Sequence, residues 1–223
     1  MSVLKSVPDS EEVGHAGDLE TFAVVLYFDK ATERRVRQIW AALDLNGVPS
    51  VASSHGLEYR PHLTLAIIEA PQLERSAGEL RTSLAGVAGL PVTLTSLGFF
   101  LTGVSPAYLA VTPTSRLLSL HEQVHEALGG SGSWDYYRPG TWVPHCTLAM
   151  GVTSPTAVAE VVAEAALPIR AGVSAADVVL LPGRSGSDDE AGFPRQATGA
   201  EARHRAGPRH RGGRRLSDAL VRW

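Results

Sequence analysis

The sequence holds one cysteine, Cys146, in 223 residues. No intramolecular disulfide can form. It also lacks a surplus of either charge: 20 Lys and Arg stand against 23 Asp and Glu, a formal net charge of −3. No global basic field announces nucleic acid, although a cleft for a short RNA end needs only local charge. No apolar run approaches the roughly 18 residues of a membrane span. Residues 1–18 lack the apolar core of a secretion signal. The expectation is a cytoplasmic monomer with no membrane partner, built as one domain or as two small lobes sharing a cleft.

What the chain does have, it has twice. Pro61-His62-Leu63-Thr64-Leu65-Ala66 returns as Pro144-His145-Cys146-Thr147-Leu148-Ala149. Five of the six positions match, and the two histidines are 83 residues apart. A repeat at so long a period points to two related lobes rather than a solenoid. Both copies are rich in strand formers, and successive side chains on a strand point to opposite faces. His62 and Thr64 then share one face, with Leu63 and Leu65 behind. His145 and Thr147 do the same, with Cys146 and Leu148 behind, so Cys146 should be a small buried apolar residue rather than a nucleophile. If the two strands lie side by side, two imidazoles and two hydroxyls line one cleft.

That set suits a phosphodiester. An imidazole titrates near 6.5, so one ring can be neutral and the other charged at working pH. One takes a proton from the attacking group, and the other gives one to the leaving group. The hydroxyls can donate to the non-bridging oxygens. Spacing leaves open which histidine takes which role. A lone His-x-Thr is common by chance; two copies in the same flanking sequence are not.

The pair resembles the signature of the 2H phosphoesterase superfamily, which includes the bacterial 2′-5′ RNA ligase-like proteins and the cyclic nucleotide phosphodiesterases. That signature is His-x-Thr/Ser-x, with x usually apolar, occurring twice about 80 residues apart. His62, Thr64, His145 and Thr147 fill its positions without departure, within a resemblance spanning residues 19–182. The resemblance implies a bilobal, pseudo-symmetric α+β fold, each lobe an antiparallel-rich sheet with helices on its outer face, and a central cleft. It also implies catalysis with no metal and no cofactor. The substrate it implies carries a 2′,3′-cyclic phosphate or a 2′-5′ linkage, on an RNA terminus or a small nucleotide.

The rest of the chain fits that division. Thr21–Phe28 reads as a central strand, Lys30–Leu45 as a helix with Val36, Ile39, Trp40 and Leu43 inward, and Glu58–Ile68 as the first motif strand. A helix over Pro71–Val87 and a strand over Pro91–Leu101 complete the first half. The second half repeats the order: a strand at Tyr108–Thr112, a helix at Ser115–Leu128, the motif strand at Thr141–Met150, a helix at Ser154–Ala166, and one or two strands over Ile169–Leu181. Residues 1–18 read as a mobile leader, and 183–223 as a disordered Arg/Gly-rich tail, with an RNA-holding arm as the functional alternative.

Other residues compete for a role. Arg60 shares the parity of His62 and Thr64 and could meet a phosphate. Trp134, Tyr136 and Arg138, in the loop before the second motif, could stack a base and hold a phosphate. His121-Glu122-Gln123-Val124-His125 matches a zinc-hydrolase pattern, but the helix lacks an evident third ligand and a solvated helix face explains the pair. His55 falls in a loop, with no partner to name. The main rival to catalysis is a protein that binds RNA ends or nucleotides in the same cleft without turning them over.

Overall fold

A computed structural model of the chain describes residues 20–56, 58–130 and 134–181. The leader and the Arg-rich tail lie outside the described residues. Among those described, no helix is long and apolar enough to cross a membrane.

The first strand, β1 (Thr21–Phe28), is the near-continuous apolar run seen in the sequence, buried along most of its length. Asp29 then starts α1 (Lys30–Leu45): one carboxylate oxygen accepts from the Thr32 backbone N–H at 2.8 Å, and the other accepts from the Gly172 N–H at 2.7 Å. One side chain thus caps a helix and ties it to the last strand. Val36, Ile39, Trp40 and Leu43 are buried at helical spacing, as expected.

There follow α2 (Val51–His55), β2 (His62–Glu69), α3 (Ala70–Leu84), β3 (Pro91–Phe99), β4 (Ala107–Val111), α4 (Ser115–Ala127), a 3₁₀ turn at Asp135–Tyr137, β5 (His145–Ala149), α5 (Pro155–Ala163) and β6 (Ile169–Leu180). The helix α2 corrects the expectation of a plain loop there. Ser50 caps it, and Ser50 is itself held by Asp44, which accepts from its N–H at 2.7 Å and from its hydroxyl at 3.0 Å. The motif strands begin at His62 and His145, not at Glu58 and Thr141. Pro61 and Pro144 have no N–H to give a ladder, so pairing starts one residue later.

All strand pairs are antiparallel, in the order β2-β1-β6-β3-β4-β5. Exchange the first half of the chain (β1 to β3) for the second (β4 to β6), and this order becomes its own reverse. The third strand of each half lies with the other half: β6 pairs with β1, and β3 with β4. The long β6 serves both sides, its start against β3 and its remainder against β1. The helices obey the same exchange, with α1 packing on α5 and α3 on α4. One core runs through both halves, including Leu26, Trp40, Leu65, Leu94, Leu109 and Leu148.

This order puts both motif strands at sheet edges. The edges are not left apart: the sheet curls until β2 and β5 touch. An isolated bridge between Ser50 and Ala149 joins the two sides.

Candidate active site

Strand alternation places the motif side chains as expected. His62 and Thr64 are half-buried and alternate with buried Leu63 and Leu65; His145 and Thr147 alternate with buried Cys146 and Leu148. Each motif strand then breaks register at the same point. Leu65 is an extra residue between Thr64 and Ala66, and Leu148 is an extra residue between Thr147 and Ala149. Such bulges bend a strand and re-aim its side chains. Here they interrupt the ladder immediately after the two threonines, and pairing resumes at Ala66 and at Ala149.

The rings are held alike. His62 Nδ1 lies 2.7 Å from the Arg60 carbonyl, and His145 Nδ1 lies 2.7 Å from the Val143 carbonyl. A carbonyl only accepts, so each Nδ1 carries the proton and each Nε2 keeps a lone pair for the cleft. Burial pushes His62 below the usual imidazole range, against the Arg60 carbonyl, which raises it; the charges of His55 and Arg60 lower it further. Burial pushes His145 down to about 4, opposed by the Val143 carbonyl, with a further lowering by the charge on His62. The two imidazoles thus sense each other, and both are neutral at pH 7 in the free protein.

Aromatic rings surround them. Tyr59 and Tyr27 meet His62 edge-on at 5.3 and 6.3 Å between centroids. Phe100 and Tyr108, stacked on each other at 4.3 Å, flank His145 at 5.0 and 5.2 Å. Gly98 makes room for this: a Cβ there would sit 2.5 Å from the Tyr108 ring. A small pocket opens beside His145, lined by Phe100, Tyr136, Tyr137, Thr141 and Val143. On the His62 side the wall is charged. Arg60 lies 4.0 Å over the Tyr27 ring and pairs with Glu33 at 3.1 Å. Burial alone would raise the Glu33 carboxyl, but hydrogen bonds from Arg60 and Arg37 hold it below its ordinary value. A separate hollow between α3 and α4, lined by Ser83, Leu90, Arg116 and Gln123, contains no motif residue.

The threonines are anchored by their backbones. Trp142 Nε1–H donates to the Thr64 carbonyl at 3.1 Å, and Trp40 Nε1–H donates to the Thr147 carbonyl at 3.3 Å. Among the described residues neither threonine hydroxyl has a hydrogen-bond partner, so both remain available to a ligand.

His121 and His125 correct the expectation of a solvated helix face. Both are buried, 2% and 5% exposed. His121 Nε2 donates to the Tyr137 carbonyl at 2.8 Å, and its ring stacks on Trp142 at 3.9 Å and 3°. His125 Nε2 donates to the carbonyl of Leu65, the bulge residue, at 3.2 Å. Among the described residues no third metal-ligating side chain joins them, and the pair braces β2 instead. Burial, with the neighbouring His125 charge, pushes His121 down to about 4; burial also lowers His125. Between pH 6.5 and 4 the unfolded chain therefore binds protons that the folded one refuses, and stability falls as pH drops through that window. A denaturant titration at pH 5 should show roughly 2 kcal/mol less stability than at pH 7 from His121 alone. His121→Phe should flatten that slope.

Of the other expected residues, the structure brings Arg60 and Tyr136 to the cleft walls. Trp134 packs with Ala23, Val25, Ile67 and Tyr137, and Arg138 pairs with Asp135 at 3.2 Å. His55 is exposed, its ring 4.8 Å from Tyr59. Cys146 is buried with its thiol pushed up to about 12 by burial, although the His62 backbone N–H donates to it. The sequence reading missed Tyr27, Tyr59, Phe100 and Tyr108 as ring neighbours. Tyr59 and Phe100 lie outside the strands, and only the pairing of distant segments brings Tyr27 and Tyr108 beside the imidazoles.

Comparison with known proteins agrees with this architecture. A family model described as the 2′-5′ RNA ligase superfamily matches residues 19–183. No curated protein matches the chain. Among solved structures, a crystal structure of a phosphoesterase is similar at 19% identity and a TM-score of 0.51, over 75% of this chain and 91% of its own. The apo form of LigT from E. coli is similar at 17% identity and a TM-score of 0.54, over 76% and 92%. LigT complexed with 3′-AMP is similar at 19% identity and a TM-score of 0.50, over 74% and 92%. At these identities the likeness is one of fold.

Proposed function

This chain belongs to the 2′-5′ RNA ligase superfamily, and from that premise we propose that it is a phosphoesterase acting on 2′,3′-cyclic phosphates or 2′-5′ phosphodiesters of RNA ends or nucleotides. The observation that carries the proposal is the pair of motif edges meeting, with two Nε2 lone pairs and two unpartnered hydroxyls on their cleft faces.

In hydrolysis, water attacks phosphorus in line with the ribose oxygen that will leave. One imidazole takes the water proton through Nε2 as the P–O bond forms. The other, protonated, passes its proton to the departing oxygen as that P–O bond breaks. Thr64 and Thr147 donate to the non-bridging oxygens, where negative charge builds. A 5′ hydroxyl in place of the water uses the same two roles; the reverse reaction, in which the neighbouring ribose hydroxyl attacks and expels the water or 5′ oxygen, exchanges them. Both rings are neutral in the free protein, so the acid acquires its proton with the substrate: an anionic phosphate raises the pKa of an adjacent imidazole. These groups supply base, acid and anion donors from one chain, so the reaction is proposed to run without a metal or cofactor. The 3′-AMP bound by the LigT structure supports a ligand of nucleotide size, and the aromatic wall with Phe100 and Tyr136 offers faces for a base.

The test is a panel of 2′,3′-cyclic mononucleotides and 2′-5′-linked dinucleotides, offered to clean protein in excess chelator. Turnover of at least one member, abolished by His145→Ala, is the expected result. An inert panel beside measurable binding of 3′-AMP would replace catalysis with the binding reading.

A further inference from the structure

Two edge strands that share no ladder must still be kept at a working separation. We propose that Trp40 and Trp142 are positioning residues that set this gap, each holding the motif strand of the opposite half through its indole N–H. The inference rests on the two-histidine reading above.

Trp40 belongs to α1 in the first half, and its Nε1–H reaches the Thr147 carbonyl of the second motif at 3.3 Å. Trp142 belongs to the second half, and its Nε1–H reaches the Thr64 carbonyl of the first motif at 3.1 Å. The bonds run between the two halves in opposite directions, and their acceptors are the two motif threonines. Each lies just ahead of a bulge, where the register with the neighbouring strand is broken.

Both indoles are themselves fixed. Trp40 is 1% exposed and lies 6.1 Å from Tyr59, the ring that meets His62. Trp142 stacks on the buried His121 ring, which is anchored to the Tyr137 carbonyl. Trp142 also directly precedes Val143, whose carbonyl orients His145. The segment that aims one imidazole thus grips the strand carrying the other. A geometric error of about 1 Å between reacting groups costs on the order of 100-fold in rate, so a loosened gap should be read first in kcat.

Trp40→Phe and Trp142→Phe keep an apolar ring and delete the donor. Three quantities are measured: kcat and KM on the best panel substrate, the thermal midpoint, and the imidazole titrations of His62 and His145 by NMR. His62 faces Arg60, His55, Tyr59 and Tyr27; His145 faces His62 and Tyr108. Each variant is expected to lose kcat by about 10- to 100-fold with KM changed less than about 3-fold. The His145 midpoint should rise toward the ordinary imidazole value, because an opened cleft admits water and moves His62 away. A role in stability alone would lower the thermal midpoint and leave both titrations and kcat in place, and that result overturns the proposal. If wild-type protein turns over nothing, the two-histidine reading fails, while the titrations still decide whether the indoles set the gap. Should a Phe variant not fold, benzothienylalanine at the same position, in which sulfur replaces the indole N–H, is read in the same way.

Discussion

His62→Ala and His145→Ala are each expected to lower kcat by about 10³- to 10⁴-fold, the upper range for a positioned proton carrier. The double variant should be little worse than either single one, because proton removal and proton delivery act as one unit. The pH dependence makes the prediction specific. Both rings titrate below 6.5 in the free protein, His145 at about 4. The profile of kcat/KM, which reports the free protein, should therefore be a bell centred on the acid side of 6.5. The profile of kcat reports the complex, where the phosphate charge favours the imidazolium, so its centre should lie at higher pH. The limbs belong to the coupled pair rather than to either ring. Each Ala variant should lose one limb. Wild-type rates retained in both variants would remove the mechanism outright.

Thr64→Val and Thr147→Val form the second large prediction. Valine keeps the branched shape and the strand preference but removes the hydroxyl. Each backbone carbonyl stays with its indole, so the strands should hold their place and the thermal midpoint should move little. Loss of one donor to a developing oxyanion costs about 10²- to 10³-fold in kcat, and both singles should fall in that range with smaller changes in KM. A rise in KM at constant kcat would mean that the hydroxyls bind the ground state and transition state equally.

How much of this was legible beforehand depended on how local each cause was. Thr21–Phe28 and Lys30–Leu45 were readable to the residue, because apolar runs and helical spacing act within one element. The faces of the two motif strands followed from parity alone. The five residues of α2 gave no period to read, and its start depends on the grip of Asp44 on Ser50. His121 and His125 were misread because their burial is made tolerable by carbonyls 16 and 60 positions away along the chain. The strand order and the ring neighbours of the imidazoles were equally out of reach, since both depend on which distant segments pair.

The palindromic strand order also bears on what a fragment of this protein would be. A chain cut in the turn between β3 and β4 yields two pieces, each carrying a central strand shaped for the other piece and lacking the one shaped for itself. Neither piece has a groove of its own; the chamber between the imidazoles exists only as a joint property of both. The molecule is less a pair of modules than a handshake, and its chemistry sits where the hands close.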